Sequence, residues 1–251
     1  MFVFGLLDDF RELSVRTKFF VQIIAASLLI FFGIRTRIVY IGNPLNILIT
    51  YIWVIAITNA FNLLDVLDGL SASIALLIAG SLFFISFSNG DTSTAVLALS
   101  LIGSILGFLL FNLPPARVYL GNAGSHFLGF ILAATALVVR YASMERKTAL
   151  LAPLFIFGLP IFDTLFLIAM RISRKRLPFK KSKDHLPLRL LALGYSKRKT
   201  LNIMLLLGLF FSVCAIVITK VSQSGSTFII ILALLLVFII TKKMSKVAVN
   251  E

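Results

Sequence analysis

Apolar stretches of 14 to 23 residues recur along almost the whole chain, broken by short polar runs, and a compact water-soluble core cannot account for most of them. Eight membrane spans are predicted, at 17–34, 46–59, 70–88, 94–113, 126–141, 149–171, 200–219 and 226–241. Those at 46–59, 126–141 and 226–241 are shorter than the roughly 20 residues of a straight span, so they are expected to borrow flanking residues or to cross beside a cavity. The predicted architecture is all-α, one polytopic helical membrane domain over 1–251 with a basic cytoplasmic loop at 171–199 inside it. Met1–Leu7 reads as the last turns of an apolar span with Asp8 and Asp9 at its exit. It has neither the charged start nor the small-residue cleavage site of a secretory signal, and further N-terminal spans are expected ahead of it. The Gly103-x-x-x-Gly107 pair reads as a close helix–helix contact.

Composition sharpens this picture. With 59% apolar and 14% charged residues and a mean hydropathy of +1.04, a cytosolic enzyme is excluded. The net charge of +14, from 24 Lys and Arg against 10 Asp and Glu, would point to nucleic acid in a soluble protein. In a membrane protein it follows from the enrichment of cytoplasmic loops in Lys and Arg. With the N-terminus in the cytoplasm, 18 of these cations fall inside and 6 outside. The outside set is Arg35, Arg37, Arg140, Arg146, Lys147 and Lys220, and Arg35 and Arg37 run against the rule. Cys214 has no partner cysteine, so a disulfide framework and a cysteine metal site are both excluded.

Four polar clusters carry candidate chemistry, and on this topology all face the cytoplasm. Adjacent carboxylates at Asp8 and Asp9 repel unless a cation or proton offsets them; they read either as helix-capping acids or as a site for a metal-bearing phosphate. Asn59, Asn62, Asp65 and Asp68 recur at intervals of three, which places them on one side of a helical turn at a membrane boundary, where polar groups are costly to desolvate. After Pro114 and Pro115, the run Tyr119-Leu-Gly121-Asn122-Ala-Gly124-Ser125-His126 offers a tight turn opening onto a helix whose first N–H groups suit a phosphate. His126 reads as a packing residue. In the basic loop, Asp184-His185 with Arg189 sets an imidazole and a guanidinium beside an anionic substrate, although the charge alone also fits the positive-inside rule. Asp163 lies inside the span at 149–171 and is expected to pair with a neighbouring helix, in a structural or a catalytic role.

Leu6-Leu7-Asp8-Asp9 before a span, Asn59-Ala-Phe-Asn62-x-x-Asp65-x-x-Asp68-Gly-Leu70, Asn112-x-Pro-Pro-Ala-x-x-Tyr119-x-Gly121-x-x-Gly124-Ser125 and His185-Leu-x-x-Arg189-Leu stand in this order along the chain. Together they resemble the polyprenyl-phosphate N-acetylhexosamine-1-phosphate transferase family, and the last is similar to its N-acetylglucosamine branch. The resemblance implies transfer of a sugar-1-phosphate from a UDP-sugar to a polyprenyl phosphate, with release of UMP, to start a lipid-linked envelope glycan. It implies Mg2+, with Mn2+ as an alternative, membrane lipids as neighbours, no nucleic acid, and a site on the cytoplasmic face of the inner membrane.

By the same resemblance, Asp8 and Asp9 sit by the lipid-phosphate nucleophile, and Asn62, Asp65 and Asp68 surround the diphosphate and its metal. Tyr119 stacks the uracil; Asn59, Gly121, Gly124, Ser125 and Arg189 contact substrate; His185 is catalytic. Asn122 stands where the family has a metal-binding Asp; it can ligate through its carbonyl oxygen but brings no charge. Val66 replaces a glycine, and His185 is kept where the family has three histidines. Two rival readings stay open: a catalytically degenerate homologue that binds polyprenyl-linked sugars or assembles with an active partner, and, ranked last, a transporter in which Asp163 lines a pathway.

Overall fold

The computed structural model of the chain describes residues 1–11, 13–141, 147–175, 184–247 and 249. Among the described residues every regular element is a helix, as the apolar pattern predicts. The helices are α1 (Phe2–Phe10), α2 (Val15–Phe31), α3 (Asn43–Leu64), α4 (Leu70–Ser88), α5 (Thr92–Asn112), α6 (Gly121–Val138), α7 (Ala152–Ile156), α8 (Gly158–Ser173), α9 (Leu186–Ala192), α10 (Lys197–Ile218) and α11 (Gln223–Met244), with a 3-10 turn at Lys147–Leu151. Their starts are written locally: the hydroxyls of Ser14, Ser196 and Ser222 and the carboxylate of Asp91 each accept an N–H of the following first turn.

Six helices (α3, α4, α5, α6, α10 and α11) are long and apolar enough to cross a membrane, and a seventh span counts if the bent pair Lys147–Ile156 and Gly158–Ser173 is taken as one. The short windows at 46–59, 126–141 and 226–241 do borrow flanking residues, becoming helices of 22, 18 and 22 residues. The window at 17–34 becomes α2, only 17 residues long. The span expected at 149–171 is not one continuous helix. The helix breaks at Phe157 and turns by 71°. Pro160 has no N–H to give the Ile156 carbonyl, and Phe211 of α10 lies against Gly158, where a Cβ would stand 2.5 Å from its ring.

α4 is the interior helix. Leu70, Ala72, Ile74, Ala75, Ile78, Ala79, Leu82 and Ile85 are all buried, and 67% of its membrane window is covered, against 11% for α11 on the periphery. The expected contact at Gly103 and Gly107 does not form within the chain: both are exposed on α5, and a Cβ on either would meet nothing within 4 Å. Gly129 does the close packing instead. A Cβ there would stand 2.8 Å from Thr58 Cα, so α3 and α6 cross almost backbone to backbone. That crossing brings the C-terminal end of α3 beside the N-terminal end of α6.

Candidate active site

The two adjacent acids are satisfied in opposite directions. Asp9 Oδ1 accepts the Asn122 N–H at 2.8 Å and Oδ2 the Ala123 N–H at 3.0 Å, so the carboxylate sits on the exposed donors and positive end of α6. Gly121, at φ +64, makes the approach possible, since a Cβ there would lie 2.9 Å from Asp9 Oδ2. The helix start that suits a phosphate is therefore engaged by the chain's own carboxylate. Asp8 is buried and turns away, accepting the Leu13 N–H at 2.9 Å and pairing with Lys18 Nζ at 2.5 Å. Separate partners remove the repulsion between neighbouring acids.

Asn62, on the last turn of α3, donates from Nδ2 to Asn122 Oδ1 at 2.7 Å and to Ser125 Oγ at 3.1 Å. The helical spacing of the four polar residues ends there, because α3 stops at Leu64. Asp65 and Asp68 are carried by the turn that follows, which closes through Gly69 at φ +77. Asn112 pins this turn: its Oδ1 accepts the Gly69 N–H at 3.1 Å and its Nδ2 donates to the Val118 carbonyl at 2.8 Å. One buried amide thus ties the acidic turn to the loop before α6. Asn112 was missing from the expected site, and its signal is a lone amide closing an apolar span just before two prolines.

Asp65 is the electrostatically unbalanced group. Burial first, then the nearby charges of Asp68 and Asp9, push its carboxyl up to about 7. Among the described residues no cation pairs with Asp65 or Asp68, and no three acidic, histidine or cysteine side chains converge as a preformed metal cage. Mg2+ does not need one. It is commonly held by one or two carboxylates together with substrate phosphate oxygens and water. Asp65 and Asp68 are the carboxylates of this junction that would suit such a cation.

The remaining expected residues divide. Gly121 and Ser125 are at the junction, and Tyr119 is exposed in the loop before it. Gly124 is covered by the Leu120 side chain. Asn59 faces α2 instead, donating to Gln22 Oε1 at 2.7 Å and accepting from Gln22 Nε2 at 3.2 Å. His185 and Asp163 form a buried pair at 2.8 Å, and Asp163 also accepts the Leu186 N–H at 2.8 Å. The contact orients the ring, with Nδ1 toward Asp163 Oδ2 and Nε2 as its second polar edge. Arg189 is fully buried and donates to Asp184 Oδ1 at 2.6 Å and to the Met244 and Val247 carbonyls at 2.7 and 2.6 Å. Its contacts are with the C-terminal end of α11. The loop expected at 171–199 includes α9, and its residues 176–183 lie outside the described residues.

The sequence model for "Glycosyl transferase family 4" matches residues 1–140. The probable undecaprenyl-phosphate N-acetylglucosaminyl 1-phosphate transferase of Bacillus subtilis (strain 168) is 34% identical, over 96% of this chain and 69% of its own length. The decaprenyl-phosphate N-acetylglucosaminephosphotransferase of Mycobacterium leprae (strain TN) is 34% identical, over 78% and 56%. The undecaprenyl-phosphate alpha-N-acetylglucosaminyl 1-phosphate transferase of Thermotoga maritima is 32% identical, over 84% and 65%. The chain thus spans between 56% and 69% of the length of these relatives. Its acid-rich junction of α1, α3 and α6 lies wholly within the matched region, and the chain belongs to glycosyl transferase family 4.

Proposed function

We propose that the chain transfers N-acetylglucosamine-1-phosphate from its UDP-sugar to a polyprenyl phosphate at the junction of α1, α3 and α6, releasing UMP. The observation that carries this reading is Asp65, half-buried on the turn after α3 near Asp68 and Asp9, with no cation paired to it among the described residues. Such a site is poised for a substrate that brings a divalent cation with it. In the reaction, an oxygen of the acceptor phosphate bonds to the sugar-bearing phosphorus, the bond from that phosphorus to UMP breaks, and its electron pair leaves on UMP. The acceptor is already ionised at neutral pH, so positioning outweighs general-base catalysis.

The chain's own residues would do that positioning. Asp65 and Asp68 would hold Mg2+, which when bound offsets the charge on the diphosphate. Asn62 orients Asn122, whose carbonyl oxygen accepts from Asn62 Nδ2. Asp9 holds the start of α6, and through it the Tyr119 loop, where the uracil would stack. His185, oriented by Asp163, would present Nε2 to the diphosphate. The excess of Lys and Arg on one side supports a cytoplasmic site, with the lipid tail entering between spans.

The test is formation of an organic-extractable N-acetylglucosamine phospholipid from labelled UDP-N-acetylglucosamine, undecaprenyl phosphate and Mg2+. Product that requires all three supports the reading. Tight retention of polyprenyl-linked sugar without product would favour the degenerate binding protein, a reading that draws on Asn122 and on the Asp9 carboxylate at the start of α6.

A further inference from the structure

The end of the bundle away from Asp65 holds a second feature, one that the transferase reading does not use. A cavity of about 690 Å3 opens between the loop after α2, the first half of α3, the C-terminal end of α6 and the Lys147–Leu151 turn. This is within the size range of small-molecule sites. Along the 18 residues of α6 it lies roughly 25 Å from Asn122, across most of a bilayer core. Arg35, Arg37, Arg140 and Lys147 stand around it, and among the described residues no carboxylate lines it. Ile49, Trp53, Leu150 and Leu154 supply apolar wall.

Among the described residues, the partners of Arg37 and Lys147 are neutral. Arg37 Nη2 donates to the Gly33 carbonyl at 3.1 Å, and the Lys147 ammonium lies 5.3 Å from the centre of the Tyr40 ring. No ion pair joins any of the four to a described carboxylate. Like charges gathered at an apolar cleft repel unless an anion joins them. On the expected topology Arg35 and Arg37 also run against the positive-inside rule, so topology gives no reason for those two. A free hydrated anion gains nothing from apolar walls, whereas a phosphate attached to an acyl or prenyl chain satisfies both surfaces.

We propose that this cavity binds the phosphate headgroup of an anionic membrane lipid, on the membrane face opposite the Asp65 site. The inference stands apart from the transferase reading and survives if that reading fails. Trp53 is the single tryptophan of the chain and lies in the cavity wall, so its fluorescence reports occupancy directly. The chain, purified in an uncharged detergent, is titrated with phosphatidylglycerol, phosphatidylcholine or inorganic phosphate. A saturable Trp53 change with phosphatidylglycerol is expected, about tenfold weaker in binding for the double variant Arg35→Gln/Arg140→Gln and unaltered in Lys243→Gln.

An equal response to phosphatidylcholine would overturn the proposal, because headgroup charge would not be read. An equal response to inorganic phosphate at the same concentration would overturn the lipid part and leave a soluble-anion site. Native mass spectrometry supplies an independent readout. The wild-type chain should retain more phosphatidylglycerol than the double variant, and equal retention would sink the proposal even if Trp53 were silent.

Discussion

Asp9 and Asp65 are close enough to influence one another, yet their surroundings differ in kind. Asp9 is held by two N–H groups of α6, whereas Asp65 is half-buried near two other acids, with no cation paired to it among the described residues. The linkage sign follows. A carboxyl raised from 3.8 to about 7 binds more protons in the folded than in the unfolded state, so its stability contribution is full below the unfolded value and is lost as pH rises through about 7. Asp65→Asn should therefore make the protein more stable than wild type at pH 8, by ~1–3 kcal/mol, with little difference near pH 4. Thermal unfolding in detergent measures this. Mg2+ should raise the wild-type midpoint more at pH 8 than at pH 5 and lose that effect in Asp65→Asn; a Mg2+ effect independent of pH and of Asp65 would place the cation elsewhere. Asp9→Ala, which strips α6 of its cap, should cost ~1–2 kcal/mol. The residue types of this junction were readable from spacing alone. Their partners were not, because Asp9 meets Asn122 across 113 positions of sequence, a separation no local pattern encodes.

At the scale of elements, one crossing and one clamp decide the geometry. Gly129→Val should push α3 from α6, separate Asn62 from Asn122 and destabilise the protein by ~1–3 kcal/mol. Its measurable signature is joint loss of thermal stability and of turnover. Arg189, expected at the substrate from its place after His185, instead joins α9 to the end of α11 through Asp184 and two backbone carbonyls. Arg189→Gln would leave those carbonyls without their donor and Asp184 with Arg174 alone, at a cost of ~3–5 kcal/mol, and Lys, which lacks the guanidinium fork, should rescue little. A variant that keeps full stability but binds UDP-sugar more weakly would return Arg189 to the substrate. Helix positions were legible because apolar runs dominate the chain, and each of the eight expected windows does contain helix. The break at Phe157 was not, since the run around Pro160 is as apolar as its neighbours and the wedge, Phe211, comes from another helix. The turn carrying Asp65 and Asp68 was hidden differently: a three-residue spacing is helical only where the helix continues, and α3 ends at Leu64, before either acid.

At the scale of the whole molecule, Asp8, Asp9, Asp65 and Asp68 gather at one end of the bundle, and a basic cavity lined by no described carboxylate lies at the other. If the N-terminus is cytoplasmic, a Thr36→Cys variant in a Cys214→Ser background should react with a membrane-impermeant maleimide in intact spheroplasts. An Arg117→Cys variant should react only after the membrane is opened. The reverse pattern would turn the molecule over and place the acidic junction outside.

The most direct test of the central claim is single-turnover UMP release by the purified chain with UDP-N-acetylglucosamine, undecaprenyl phosphate and Mg2+, beside Asp65→Asn and Asp68→Asn. The account predicts release that needs both lipid and metal, and a fall of at least ~100-fold in each variant at unchanged helix content. Wild-type release with undiminished rates in both variants would contradict it, because the acids at the end of α3 would then have no part in the chemistry.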